Sequence, residues 1–137
     1  MKKAVQKCTL LAFILLVSTM TVTVNAQTKE TSKIVAVLNR ADWCPVCKAN
    51  ETRIMQDVIP GGKDFNVQFI INDLTNKNTI DKSKSELEKY NAFENSRQVK
   101  PTGVIIFIDR ESGKILKTVS IAEPPDKIIQ TMKELDE

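Results

Sequence analysis

The chain has 137 residues with 20 basic and 17 acidic side chains, 42% hydrophobic residues and no histidine. Lys2, Lys3 and Lys7 account for the whole positive excess, since no acidic residue lies among the first 26, and the balanced remainder offers no basic field to recruit nucleic acid. Lack of histidine removes the commonest zinc ligand and the commonest general base, and two thiolates alone leave a tetrahedral site two ligands short.

Residues 1–26 follow the three-part plan of a secretory signal peptide: the three lysines, an apolar core at 10–17, then a polar segment ending in Val24-Asn25-Ala26. The core falls short of the ~20 apolar residues a membrane span needs. Cleavage after Ala26 is expected, with an uncleaved N-terminal anchor as the alternative. Cys8 precedes the core, so it cannot be a lipid-bearing cysteine that follows one, and it should leave with the signal. Residues 27–137 then form one domain of 111 residues in a periplasmic or secreted setting, with no stable membrane insertion.

After a polar leader at 27–33, the run Ile-Val-Ala-Val-Leu at 34–38 is continuously apolar, as in a strand covered on both faces. From Pro45 the pattern turns helical: Cys47, Glu51, Ile54, Met55 and Val58 form one stripe, and Pro60-Gly61-Gly62 should end the helix. A second buried strand is predicted at 67–71. Residues 72–83 read as a polar loop, and a short helix is expected at 85–91 with Ser85 as cap and Leu87 and Tyr90 facing inward. The strongest strand signal is 104–108, followed by a turn at 109–113 and an antiparallel partner at 115–121. Pro124 and Pro125 open a last helix with Ile128, Ile129, Met132 and Leu135 on one stripe. The order is β-α-β-α-β-β-α, an α/β domain whose central mixed sheet is covered by helices on both faces.

Cys44 and Cys47, spaced C-x-x-C where the first strand gives way to a helix, carry the chemistry. Cys44 lies at the predicted helix N-terminus, where unpaired N–H groups and the helix dipole favour a thiolate. Cys47, one turn inward, is positioned to be a buried resolving thiol. An inert staple is the alternative, although so short a loop constrains the unfolded chain little. Pro45 suits the first helical turn. Trp43 is either core or a partner-facing residue. Glu51, four residues after Cys47, shares its helical face within an apolar stripe, so its carboxyl is expected to be partly desolvated and suited to moving protons; the alternative is a glutamate at the stripe's edge reaching solvent.

Ala41-Asp42-Trp43-Cys44-Pro45-Val46-Cys47-Lys48 after a buried strand, with Lys100-Pro101-Thr102 before a later one, resembles the thioredoxin superfamily. Within it, the first motif is most similar to the C-terminal periplasmic domain of the DsbD-type transmembrane reductase. The resemblance runs from about Ile34 to Leu135. It implies a thioredoxin-like fold, a redox-active Cys44–Cys47 disulfide, and a surface formed by Trp43, Lys100, Pro101 and Thr102 that receives substrate. It further implies a cis peptide before Pro101, with backbone left free to pair with an extended substrate. An ordinary strand-edge proline is the alternative. Lys100 stands where relatives carry an apolar or hydroxyl residue; its amine would favour the thiolate or acidic partners, or be a solvated surface lysine. Leu38 is the main departure, because the family's buried aspartate six residues before the first cysteine is absent. Glu51 is expected to replace it, as the DsbD-type domain also carries a glutamate at that offset.

The sequence reads as a thiol–disulfide oxidoreductase, a reductase or exchange catalyst for extracytoplasmic proteins, working without organic cofactor or metal. Strongly oxidising relatives resemble this motif but place a histidine beside the proline, so Pro45-Val46 implies a reducing or intermediate potential. Partners are protein disulfides or thiols, and a membrane reductase or small thiols to recharge the pair. The rival readings are a soft-metal (copper) chaperone and a non-catalytic binding module on the same fold.

Overall fold

The computed structural model describes residues 32–137, so the signal peptide, its cleavage point and Cys8 lie outside the described residues. The elements run β1 (Ile34–Arg40), α1 (Pro45–Arg53), a π-helical segment (Ile54–Val58), α2 (Ile59–Gly61), a 3-10 turn (Gly62–Asp64), β2 (Val67–Asp73), α3 (Lys77–Lys89), α4 (Phe93–Ser96), β3 (Val104–Asp109), β4 (Ile115–Ser120) and α5 (Pro125–Asp136). The strands form one sheet in the order β2-β1-β3-β4, with β1 parallel to β2, antiparallel to β3, and β3 antiparallel to β4. No helix among the described residues is long and apolar enough to cross a membrane.

Alternation along the strands builds two cores. Ile34, Ala36 and Leu38 of β1 with Ile105 and Phe107 of β3 pack against Cys47, Ile54, Val58, Ile128 and Met132. Val35 and Val37 with Ile106 and Ile108 face Leu87 and Ala92 on the other side. Helices thus cover both faces of β1, which is why its apolar run is continuous. Ile128 and Met132 are fully buried, and truncating either to alanine should cost about 2–5 kcal/mol.

Two expectations need correction. Residues 72–83 are not a loop: β2 runs to Asp73 and α3 starts at Lys77, eight residues before the expected helix. Asn76 starts α3 through a capping box, its side chain accepting from Asn78 and Thr79 N–H while the Thr79 hydroxyl accepts from Asn76 N–H. Nor does Pro60-Gly61-Gly62 end the first helix. Helical backbone continues to Asp64, and the glycines instead permit close packing: a β-carbon on Gly62 would lie 2.8 Å from Phe69 and 2.9 Å from the Met132 sulfur.

Candidate functional site: a disulfide at a helix N-terminus

Cys44 and Cys47 are joined in a disulfide, with Cα atoms 5.2 Å apart. Cys44 is the N-cap of α1: its extended backbone (φ −82°, ψ 112°) turns the chain into the helix, and Pro45 occupies the first helical turn at no cost in backbone bonds. The Cys47 N–H donates to Cys44 Sγ at 3.2 Å, so a sulfur here takes the place of the usual capping oxygen. On reduction the same N–H and the helix dipole would stabilise negative charge on Cys44. Both sulfurs are buried, beneath an exposed rim of Trp43 (60% exposed) and Val46 (42%).

Residues 99–103 close the site from the β3 side. Asn39, fully buried near the end of β1, donates from Nδ2 to Val99 O (3.1 Å) and Pro101 O (3.3 Å) and accepts from Asn72 Nδ2 at Oδ1 (2.8 Å). Its carbonyl accepts from Gly103 N–H at 2.8 Å. Gly103 has φ +74°, and a β-carbon there would lie 3.1 Å from Val46 Cγ1 and 3.7 Å from Cys44 Sγ. The left-handed backbone therefore favours glycine at a position that lies close to the disulfide.

A second group of residues surrounds Cys47. Arg40, at the end of β1 and 20% exposed, contacts Asp73 Oδ2 at 2.8 Å, Asp42 Oδ1 at 2.7 Å and Glu51 Oε1 at 3.8 Å. The hydrogen bond to Asp42 raises the guanidinium pKa, burial opposes it, and the charges of Asp73, Asp42 and Glu51 add to the rise. For Asp73 burial pushes the carboxyl up, but hydrogen bonds from Thr75 and the Arg40 charge outweigh it and hold Asp73 below its ordinary value. Beside this group a cavity of about 250 Å³ reaches Cys47 and is lined by Leu38, Arg40, Glu51, Met55, Ile71 and Asp73, among others.

No protein-family model and no curated protein matches the chain. Solved structures do match in fold. Thioredoxin of Malassezia sympodialis is 17% identical over 77% of this chain and 80% of that one, with a TM-score of 0.51. The thioredoxin domain of a thiol-disulfide oxidoreductase from Bacteroides vulgatus is 17% identical, over 77% and 81%, with a TM-score of 0.50. StoA from Bacillus subtilis is 13% identical over 72% and 81%, also with a TM-score of 0.50. The chain has the thioredoxin fold.

Within this thioredoxin fold, Gly103 brings the 100–103 segment against Cys44 and Val46 at the start of α1. Trp43 faces solvent and not the core. Lys100 and Pro101 are exposed and Thr102 is half-buried. The peptide before Pro101 is trans, contrary to expectation, as no described residue follows a cis bond. Gly103 carries a positive φ just before β3, and the Lys100–Pro101 amide has the trans form that even prolyl amides favour by about 0.5–1 kcal/mol. Glu51 lines the same cavity as Cys47, but its side chain is 58% exposed and the expected desolvation is absent. The helix explains this: Cys47, Ile54 and Val58 point into the core, while Glu51 and Met55 lie further round the same side. Asn39, Arg40, Asp73 and Gly103 were not singled out by the sequence. A glycine directly after Lys-Pro-Thr, and polar residues ending two apolar runs, were the available signals.

Proposed function

We propose that the protein is a thiol–disulfide oxidoreductase for extracytoplasmic proteins, a reductase or exchange catalyst of the kind the DsbD-type domain represents. The carrying observation is the Cys44–Cys47 disulfide at the start of α1, with the Cys47 N–H directed at Cys44 Sγ beneath an exposed tryptophan. In the reduced protein the Cys44 thiolate attacks a partner disulfide, one partner sulfur leaves as thiolate, and Cys47 then displaces the second from the mixed disulfide. The net change oxidises the Cys44–Cys47 dithiol and reduces the partner's disulfide by two electrons and two protons. Trp43, Lys100, Pro101 and Thr102 form the surface that receives the partner. Lys100 and Thr102 make no backbone hydrogen bond among the described residues, which leaves both free for an extended chain. Glu51 exchanges protons with Cys47 through the cavity they share. A membrane reductase or small thiols restore the dithiol, and residues 1–26 direct export.

Equilibration with glutathione buffers tests the reading together with Cys47→Ser. A potential near about −270 mV would place the protein with reductants, one near about −120 mV with oxidases. Cys47→Ser should accumulate mixed disulfides through Cys44. Insulin reduction by wild type without any such trapping would overturn the assigned roles of the two cysteines.

A further inference from the structure

The segment that faces Cys44 is anchored at its two ends, by Val99 on the second core and by Gly103 at the start of β3, with Lys100 and Pro101 exposed between them. In front, Gly103 lies against Val46 and Cys44. Behind, residues 99 and 100 border a second cavity, of about 200 Å³, whose wall includes Asn39, Asn72, Leu74, Phe93, Val99 and Lys100. Val99 packs against the second core, but Lys100 and Pro101 are exposed, so no apolar packing of their own sets how far they stand from the disulfide. Hydrogen bonds must do so, and Asn39 makes three of them: its side-chain amide donates to Val99 O and Pro101 O, and its main-chain carbonyl accepts from Gly103 N–H. Asn72 fixes the amide's orientation by donating to Asn39 Oδ1, which leaves Nδ2 directed at the loop.

We infer that Asn39 is a positioning residue that sets the preference for polypeptide disulfides over small ones, an inference that rests on the redox function proposed above. An extended substrate must pair with the backbone at Lys100 and Thr102 while its sulfur reaches Cys44, so the separation of loop and sulfur decides whether both contacts form at once. Misplacement on the order of 1 Å costs about a hundredfold in reactions that depend on such alignment. A small aromatic disulfide such as 5,5′-dithiobis(2-nitrobenzoate) has no chain to pair and senses only Cys44. Asn39 sits on β1, the strand that also leads into the Cys44 turn, so one element spaces both halves of the site.

The test uses reduced protein in single turnover with insulin and with 5,5′-dithiobis(2-nitrobenzoate), comparing wild type, Asn39→Ala and Asn72→Ala. Asn39→Ala should lose about tenfold or more in second-order rate constant toward insulin, and several-fold less toward the small disulfide. Asn72→Ala, which removes the donor that orients the Asn39 amide, should shift the ratio of the two rates in the same direction but by less. Should Asn39→Ala not fold, Asn39→Ser carries the same expectation, because its hydroxyl is too short to bridge both carbonyls. Equal losses toward both substrates, or none, would overturn the inference. A wild-type protein that reacts with neither would instead overturn the redox reading beneath it.

Discussion

Replacing Gly103 by alanine probes the point where backbone conformation and reactive sulfur meet. At φ +74° a side chain costs about 1–2 kcal/mol in left-handed strain. Contact adds little: the new methyl meets Val46 Cγ1 at 3.1 Å, but Val46 is 42% exposed and can shift by a few tenths of an ångström. Loss of glycine's freedom in the unfolded chain returns about 0.4–1 kcal/mol. The net destabilisation is therefore about 1 kcal/mol, a fall in Tm of roughly 4–8 °C for a domain near this size. Calorimetry of the oxidised protein reads it directly. Gly103→Asn, which tolerates the left-handed region better, should recover part of the loss. The methyl would also stand 3.7 Å from Cys44 Sγ, an ordinary contact that leaves the sulfur in place but fills the space between it and the loop. Insulin reduction should slow more than the stability change explains. An unchanged Tm in Gly103→Ala would refute the argument from strain, and an unchanged rate the argument from proximity.

Glu51→Gln should slow exchange near neutral pH with at most about 1 kcal/mol lost, since the Arg40 contact is exposed; superimposable rate–pH profiles would mean that water or the thiols move the proton. Asp73→Asn should cost about 1 kcal/mol at neutral pH. Because the folded carboxyl lies below its ordinary value, this stabilisation is present above the unfolded pKa and lost as pH falls through the folded one, so the Tm gap between variant and wild type should close below about pH 4; a gap constant down to about pH 2 would contradict it. Asn76→Ala should cost about 1 kcal/mol in urea unfolding by removing the α3 cap, and no loss would show that the box contributes nothing.

β1, β3 and the helices after Cys44 and Pro124 were legible because each carries an unbroken apolar run or a stripe beside a proline, while β2 and β4 were legible from apolar residues that only Gln68 interrupts over 67–71 and Lys117, Thr118 and Ser120 over 115–121. Helix α3 was not, since its buried face holds only Ser83 and Leu87 and its Ile80 is exposed, leaving no periodic signal over its first turns. Its start was written in Asn76 and Thr79, a weaker pattern than a serine followed by glutamate. At the site, the Cys44–Cys47 pair was legible from spacing and setting. Asn39 was not, because an asparagine after an apolar run resembles the end of a strand and reveals nothing of carbonyls 60 and 62 residues away. Glu51's exposure was also hidden, as i to i+4 spacing fixes a side of the helix but not the depth of the neighbouring surface.

The arrangement around Leu38 narrows which group can serve Cys47. Leu38 pairs with Ile71 and Ile105 across the sheet and is almost wholly buried, so an ionised carboxylate at that position would be desolvated at a cost of several kcal/mol. Two residues further along the same strands the charge appears instead, as the directly paired Arg40 and Asp73, where the sheet meets solvent at the cavity rim. Hydrogen bonds from Thr75 and the Arg40 charge hold the Asp73 carboxyl below its ordinary value. Arg40 stays protonated throughout. The third charged side chain lining the cavity with Cys47 is Glu51, whose contact with Arg40 is the longest of the three at 3.8 Å. Glu51 lines this cavity from the helix and not from the strand, so the comparison of rate–pH profiles for wild type and Glu51→Gln decides whether its carboxylate serves Cys47.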